Sequence, residues 1–208
     1  MSPQTLGKAA AHLKRADPRL AAVIGKVGAC RIEFAAPTFA SLLRTILYQQ
    51  LNGKAASTIH ARFAVSCGRQ GVTPRSVLRL GLEGLRASGI SRPKASYMLD
   101  LAGHTASGRL NFARLSELSD AEVIGHLTQV KGIGVWTAHM FLMFSLQRPD
   151  VLPVGDYGIR AAMRRLYELD ELPKPVAMER IAAPWRPWCS VASWYLWRSL
   201  ETAAGESA

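Results

Sequence analysis

Apolar positions along the chain recur with a period near that of a helix, not the two-residue alternation of a strand. In FASLLRTILYQQL, Phe39, Leu42, Leu43, Ile46 and Leu47 fall at i, i+3, i+4, i+7 and i+8, which gathers them on one helix face. Asn52-Gly53 breaks that pattern, and KAASTIHARFAVSC reads as the next helix. Thr73-Pro74 supplies an N-cap followed by a first-turn proline. RPKASYMLDLAGHTASG is helical, with Gly108 available to stop it. Ser119 and Glu122 form an S-x-x-E capping box for a helix reaching Thr128. After a glycine turn a helix is expected from Val135 to Leu146, then a loop, QRPDVLPVGD. Helices near Tyr157–Glu168, Val176–Ala183 and Trp188–Ala203 follow. Only ACRIEF hints at a strand, and without a partner it is expected to be a short extended lead-in. The pattern predicts an all-α protein of roughly ten helices, without internal repeats or low-complexity tracts.

Composition changes that picture through charge. The 208 residues allow one domain, or two lobes sharing a chain. Lys and Arg number 26 against 15 acids, a formal charge of +11, which favours a polyanion: nucleic acid first, an anionic membrane second. The excess is uneven. Thr38 to Ser116 holds eleven Lys/Arg and two acids, Glu83 and Asp100, as a phosphate-facing surface requires. Cys30, Cys67 and Cys189 lie far apart, with no C-x-x-C pair, so neither a disulfide framework nor a cysteine metal site is signalled. No H-E-x-x-H occurs. MSPQTLGKAAAHLKRADP lacks the apolar core of a secretory signal, and no apolar run is long enough to span a bilayer. A soluble cytoplasmic protein is expected.

Three stretches carry candidate chemistry. In LTQVKGIGVWTAHMF a helix stops, turns through Gly132 and Gly134, and restarts with Trp136 in its first turn. Glycines there can adopt positive φ and bring bare backbone to a ligand, and the restarting helix offers unsatisfied N–H groups beside Lys131. The same sequence also fits an ordinary αα-hairpin with sterically required glycines. In VLPVGDYGIR, Asp156 precedes a helix, where Asp is a favoured N-cap. Its apolar neighbours Val151, Leu152, Val154, Tyr157 and Ile159 could also hold a carboxylate that acts on a developing cation or a water. APWRPWCSVASWYLWRSL carries Trp185, Trp188, Trp194 and Trp197, which serve either as core or as a stacking wall for a flat aromatic ligand.

In this order, VKGIGVWTA, LPVGDYGIR and a Trp-rich final helix resemble the helix-hairpin-helix DNA glycosylases. The branch that fits is the 3-methyladenine DNA glycosylase II type, and FASLLRTILYQQLNGKAAS and DPRLAAVIGKVG match it as well. The resemblance runs from Asp17 to Leu200. It implies two helical lobes with a cleft between them: one of about 38–150 including the hairpin at 120–146, the other of about 1–37 with 151–208. The N-terminal β-domain of larger relatives is not expected here. Lys131, Gly132, Gly134 and the amides of Trp136 and Thr137 would hold the DNA backbone. Carbonyls of Thr128, Val130 and Ile133 would bind a monovalent cation, Na+ or K+, bridging to a phosphate. Asp156 would be the catalytic carboxylate, and Trp136, Tyr157 and Trp197 would form the base pocket. Met140 stands there too, where some relatives have another aromatic. Gln50 or Leu51 would fill the gap left by the extruded base, although Asn52 stands where the usual pattern has Ser.

The implied activity is hydrolysis of the N-glycosidic bond of alkylated bases of the 3-methyladenine and 7-methylguanine type, flipped out of double-stranded DNA during base excision repair. A strand-cleaving branch places a lysine nucleophile two positions past the second glycine, where this chain has Trp136. Many of its members also carry a four-cysteine iron–sulfur cluster near the C-terminus, where this chain has Cys189 alone. Monofunctional hydrolysis through water is therefore expected, with no required cofactor, no iron–sulfur cluster, no membrane partner and a monomeric enzyme. A bifunctional glycosylase/lyase and a damage-binding module without catalysis are the alternatives.

Overall fold

Short polar side chains and prolines set where the helices begin. Ser2, Asp17, Thr38, Thr73, Ser119 and Asp156 each cap a helix by accepting a first-turn N–H, and Thr73 and Ser119 do so within reciprocal capping boxes. Pro3, Pro18, Pro74 and Pro175 stand in first turns, where no intrahelical donor is lost. The computed structural model describes residues 1–49 and 53–205, with side chains through 201. Among these, eleven α-helices occur: α1 (Pro3–Ala16), α2 (Pro18–Val27), α3 (Phe39–Tyr48), α4 (Gly53–Cys67), α5 (Pro74–Ala87), α6 (Arg92–Ala106), α7 (Asp120–Thr128), α8 (Val135–Phe144), α9 (Tyr157–Leu166), α10 (Pro175–Ala182) and α11 (Cys189–Gly205). No strand occurs among the described residues, and the ACRIEF stretch is irregular. No described helix is long and apolar enough to cross a membrane.

The chain divides into two compact units. One comprises Met1–Phe34 with Gln147–Ala208, the other Ala35–Leu146. In the first, Leu6, Leu13, Leu20, Ile24, Ile159, Met163, Met178, Trp185, Tyr195 and Leu196 form a buried core. Asp17 is one of the buried polar residues of this unit. Its Oδ1 accepts the N–H groups of Arg19 and Leu20 at 3.0 and 3.1 Å. Its Oδ2 accepts the indole N–H of Trp185 at 2.9 Å and the hydroxyl of Tyr167. Burial pushes this carboxyl upward, but the bonds from Tyr167, Trp185, Leu20 and Arg19 outweigh it and leave the pKa below the ordinary value.

In the second unit, the stripe read from sequence on α3 is buried at Phe39, Leu42, Leu43, Ile46 and Leu47. Phe63, Val77, Leu85, Met98, Leu101, Val123, Leu127 and Leu142 are buried on the other helices of that unit. α5 is bent at Gly81, whose φ of 60° is left-handed. Cys67 and Cys189 are buried, whereas Cys30 is half-buried. Desolvation lifts the Cys30 thiol to about 11, so it stays protonated at neutral pH.

Candidate active site and nucleic-acid interface

The hairpin between α7 and α8 is built by two different glycines. Gly132 has φ +79°, and a Cβ there would lie 2.2 Å from Cδ2 of Tyr97. Both its backbone and the ring packed on it exclude a side chain. Gly134 departs from the expectation of positive φ at both positions. Its φ of −93° and ψ of 175° are extended geometry open to any residue, and nothing lies within 4 Å of an added Cβ. Gly134 is the N-cap of α8 and makes no side-chain cap bond. An ordinary cap side chain turns back onto the first-turn N–H groups, and a glycine offers them no such acceptor. Internal packing therefore accounts for Gly132 and not for Gly134.

The turn is fastened from neighbouring helices. The amide of Lys131 donates to Oδ2 of Asp100 on α6 at 2.9 Å, while its side chain is exposed. Gln49, just past α3, donates through Nε2 to the Gly132 carbonyl at 3.3 Å and to Oγ1 of Thr137 at 3.5 Å. Lys94 on α6 donates to the Leu47 carbonyl at 2.7 Å and to that of Gln49, closing the C-terminal end of α3. Its partial burial pulls the ammonium pKa below its ordinary value. Thr137, expected at the DNA backbone, is buried, and Gln49 holds its hydroxyl. Thr128 is exposed, whereas Val130 and Ile133 are buried. The Val130 carbonyl accepts the Ile133 amide at 3.1 Å and keeps a second lone pair. Gln50 and Leu51 lie outside the described residues.

A cavity of about 780 Å³ lies in this unit against α3 and α8. Trp136 and Met140 line it together with Phe144 from α8 and with Arg44, Thr45 and Tyr48 from α3. Trp136 remains 44% exposed, enough for a second flat ring to stack on it.

Asp156 belongs to the other unit, at the start of α9. It is 8% exposed and caps the helix, its Oδ1 accepting the Ile159 amide at 2.8 Å. The same oxygen accepts the indole N–H of Trp197 from α11 at 3.0 Å. Two donors arriving on one oxygen fix the plane of the carboxylate. Gly158 makes room for them. A Cβ there would stand 3.1 Å from Oδ1 of Asp156 and 3.2 Å from Cδ1 of Trp197. Tyr157, expected in the base pocket, is 72% exposed. Of the other tryptophans, Trp185 is core, and Trp194 packs edge-on against Tyr195.

The loop ahead of Asp156 is clamped to the start of α11. Ser190 donates its hydroxyl to the Arg148 carbonyl at 2.7 Å, accepts the Val151 amide at 3.0 Å, and donates its own amide to Pro149 at 3.0 Å. Asp150 accepts the Cys189 amide at 3.2 Å and pairs with Arg186 at 2.8 Å. One helix thus holds the loop at its first turn and orients Asp156 through Trp197 two turns later. Gln49, Lys94, Tyr97, Gly158 and Ser190 escaped the sequence reading. Gln49, Gly158 and Ser190 lie within stretches singled out above, but each acts on at least one partner distant in sequence.

The family model described as HhH-GPD superfamily base excision DNA repair protein matches residues 43–187. The chain belongs to that superfamily. It is 35% identical over 204 residues to DNA-3-methyladenine glycosylase 1 of Schizosaccharomyces pombe, covering 96% of this chain and 90% of that protein. It is 36% identical over 166 residues to the putative DNA-3-methyladenine glycosylase YfjP of Bacillus subtilis, covering 77% of this chain and 58% of that protein. Among solved structures, the S. pombe 3-methyladenine DNA glycosylase Mag1 in complex with abasic DNA superposes with a TM-score of 0.80 at 34% identity, covering 93% of this chain and 97% of that one.

Proposed function

We propose that this protein is a monofunctional DNA glycosylase that hydrolyses the N-glycosidic bond of alkylated bases flipped out of duplex DNA, in base excision repair. The observation that carries the reading is Asp156: a buried carboxylate whose orientation is fixed by Ile159 and Trp197. An N-cap needs only the first of those bonds.

The target base cannot be reached inside the stack, so the nucleotide is extruded, at lower cost when the base is damaged. Alkylation at N3 or N7 of a purine makes the base cationic and weakens its bond to C1′. As that bond breaks, its electron pair leaves with the base and cancels the positive charge. Positive character develops on the sugar, and the Asp156 carboxylate stabilises it electrostatically. Water adds to C1′ and releases a proton to solvent. Trp136 occupies the position at which a lyase would carry its amine, and an indole cannot form a Schiff base. The hairpin holds the phosphate backbone through Gly134 and the first turn of α8. The carbonyls of Thr128, Val130 and Ile133 offer hard oxygen donors without charge, a set suited to Na+ or K+ and not to a transition metal. Such an ion would supply positive charge toward a phosphate.

Incubation with alkylated duplex tests this directly. Free 3-methyladenine or 7-methylguanine should appear while the strand stays unbroken at the abasic site. Borohydride trapping of a protein–DNA adduct would overturn the water mechanism. Binding without release across a panel of lesions would point to a damage-binding module.

A further inference from the structure

The cavity against α3 and α8 has two unlike walls. Trp136, Met140 and Phe144 follow at four-residue steps along α8 and make one face of rings and thioether. Ser41, Arg44, Thr45 and Tyr48 follow at i, i+3, i+4 and i+7 along α3 and make a polar face opposite in character. Arg44 is held within that face. Its guanidinium lies 4.7 Å over the Tyr48 ring, and Nη2 donates to the Tyr48 hydroxyl at 3.5 Å. Tyr48 is fixed in turn by a 3.2 Å hydrogen bond with Ser57 on α4. Among the described residues that line the cavity there is no Asp or Glu to offset the charge.

We infer that Arg44 is a specificity-determining residue that shifts excision toward uncharged lesions and away from cationic alkylated purines. The inference rests on this cavity receiving the extruded base. The α8 wall attracts a cationic base through its electron-rich rings, and the α3 wall repels it. A guanidinium carries only donors, so it meets a ring nitrogen or carbonyl of a neutral base favourably and a cationic ring unfavourably. Arg44 is exposed to solvent, which screens the repulsion to about a fivefold effect on relative rates. The balance of the two walls sets the ratio of neutral to cationic substrates.

The test is single-turnover excision of 7-methylguanine and of an uncharged lesion, hypoxanthine, from matched duplexes. Wild type is compared with Arg44→Gln, Arg44→Lys and Trp136→Ala, and binding to abasic duplex is measured for each. Arg44→Gln should raise the 7-methylguanine to hypoxanthine rate ratio about fivefold. Arg44→Lys, which keeps the charge, should leave the ratio near wild type. Three results would overturn the inference: an unchanged ratio in Arg44→Gln, an equal loss on both substrates with a shallower salt dependence (the mark of a phosphate contact), or a wild type that releases only the cationic base. Trp136→Ala separates this from failure of the underlying reading. If it excises both lesions at wild-type rate, the base does not bind in this cavity at all.

Discussion

The indole N–H of Trp197 lies 3.0 Å from Oδ1 of Asp156, the oxygen that also accepts the Ile159 amide at 2.8 Å. A tryptophan expected as a wall of the base pocket therefore acts on the carboxylate itself. Replacing it with phenylalanine keeps a ring and removes the donor. A hydrogen bond to a charged group contributes roughly 1.5–3 kcal/mol, so Trp197→Phe should slow single-turnover excision roughly 10- to 100-fold. Binding to abasic duplex should change little. An equal loss in both measurements would mean that Trp197 serves only to bind DNA.

Gly158 provides the space in which that bond forms. A methyl group there would stand 3.1 Å from Oδ1 of Asp156 and 3.3 Å from Nε1 of Trp197, so one of them must shift by a few tenths of an ångström. Gly158→Ala should therefore lower the excision rate severalfold, the lower part of the range expected for losing the bond outright. Circular dichroism and thermal unfolding near those of wild type would locate the loss at the site and not in the fold.

The two hairpin glycines should separate stability from DNA binding. Gly132→Ala forces an L-residue into left-handed backbone and against Tyr97, and should destabilise the protein by roughly 1–3 kcal/mol or more. Gly134→Ala meets no atom and keeps ordinary φ, so its unfolding midpoint should match wild type within about 0.5 kcal/mol. Its affinity for duplex should fall, because the added methyl stands at the cap of α8, where a phosphate would approach. Denaturant unfolding and fluorescence anisotropy read the two effects apart.

Asp17 ties the start of α2 to Tyr167 and Trp185, and its pKa is lower in the folded protein than in the unfolded chain. A depressed carboxyl contributes stability that is complete above its unfolded pKa of about 3.9 and is lost as pH falls through the folded value. Unfolding free energy should thus decline below about pH 4, and Asp17→Asn should remove part of that acid-side slope. The variant should also cost roughly 1–3 kcal/mol at neutral pH, since buried donors lose a charged acceptor. Urea titrations from pH 3 to 7 measure both.

The helices were legible because their determinants are local. The stripe on α3, the N-cap and proline at Thr73-Pro74 and the capping box at Ser119 lie within a few residues of what they control. The hairpin and Asp156 were legible as motifs, each with a plain structural alternative. What the sequence hid was the reason for each glycine. Gly132 is required by Tyr97, thirty-five residues earlier, and Gly158 by Trp197 on a helix near the C-terminus. Lys94 and Ser190 were equally silent, since a lysine or serine inside a helix reads as surface until the carbonyls it reaches are known. Periodicity reports which face is buried; it carries no record of which distant backbone a polar side chain secures.

We propose that Asp156 performs chemistry as well as capping α9. Single-turnover release of 7-methylguanine from duplex DNA by Asp156→Asn tests it most directly. Asparagine can still accept the Ile159 amide, so the cap and the fold should persist, while the negative charge is gone. Binding to abasic duplex should stay intact while excision falls by at least about a hundredfold. Excision at the wild-type rate by the folded variant would contradict it.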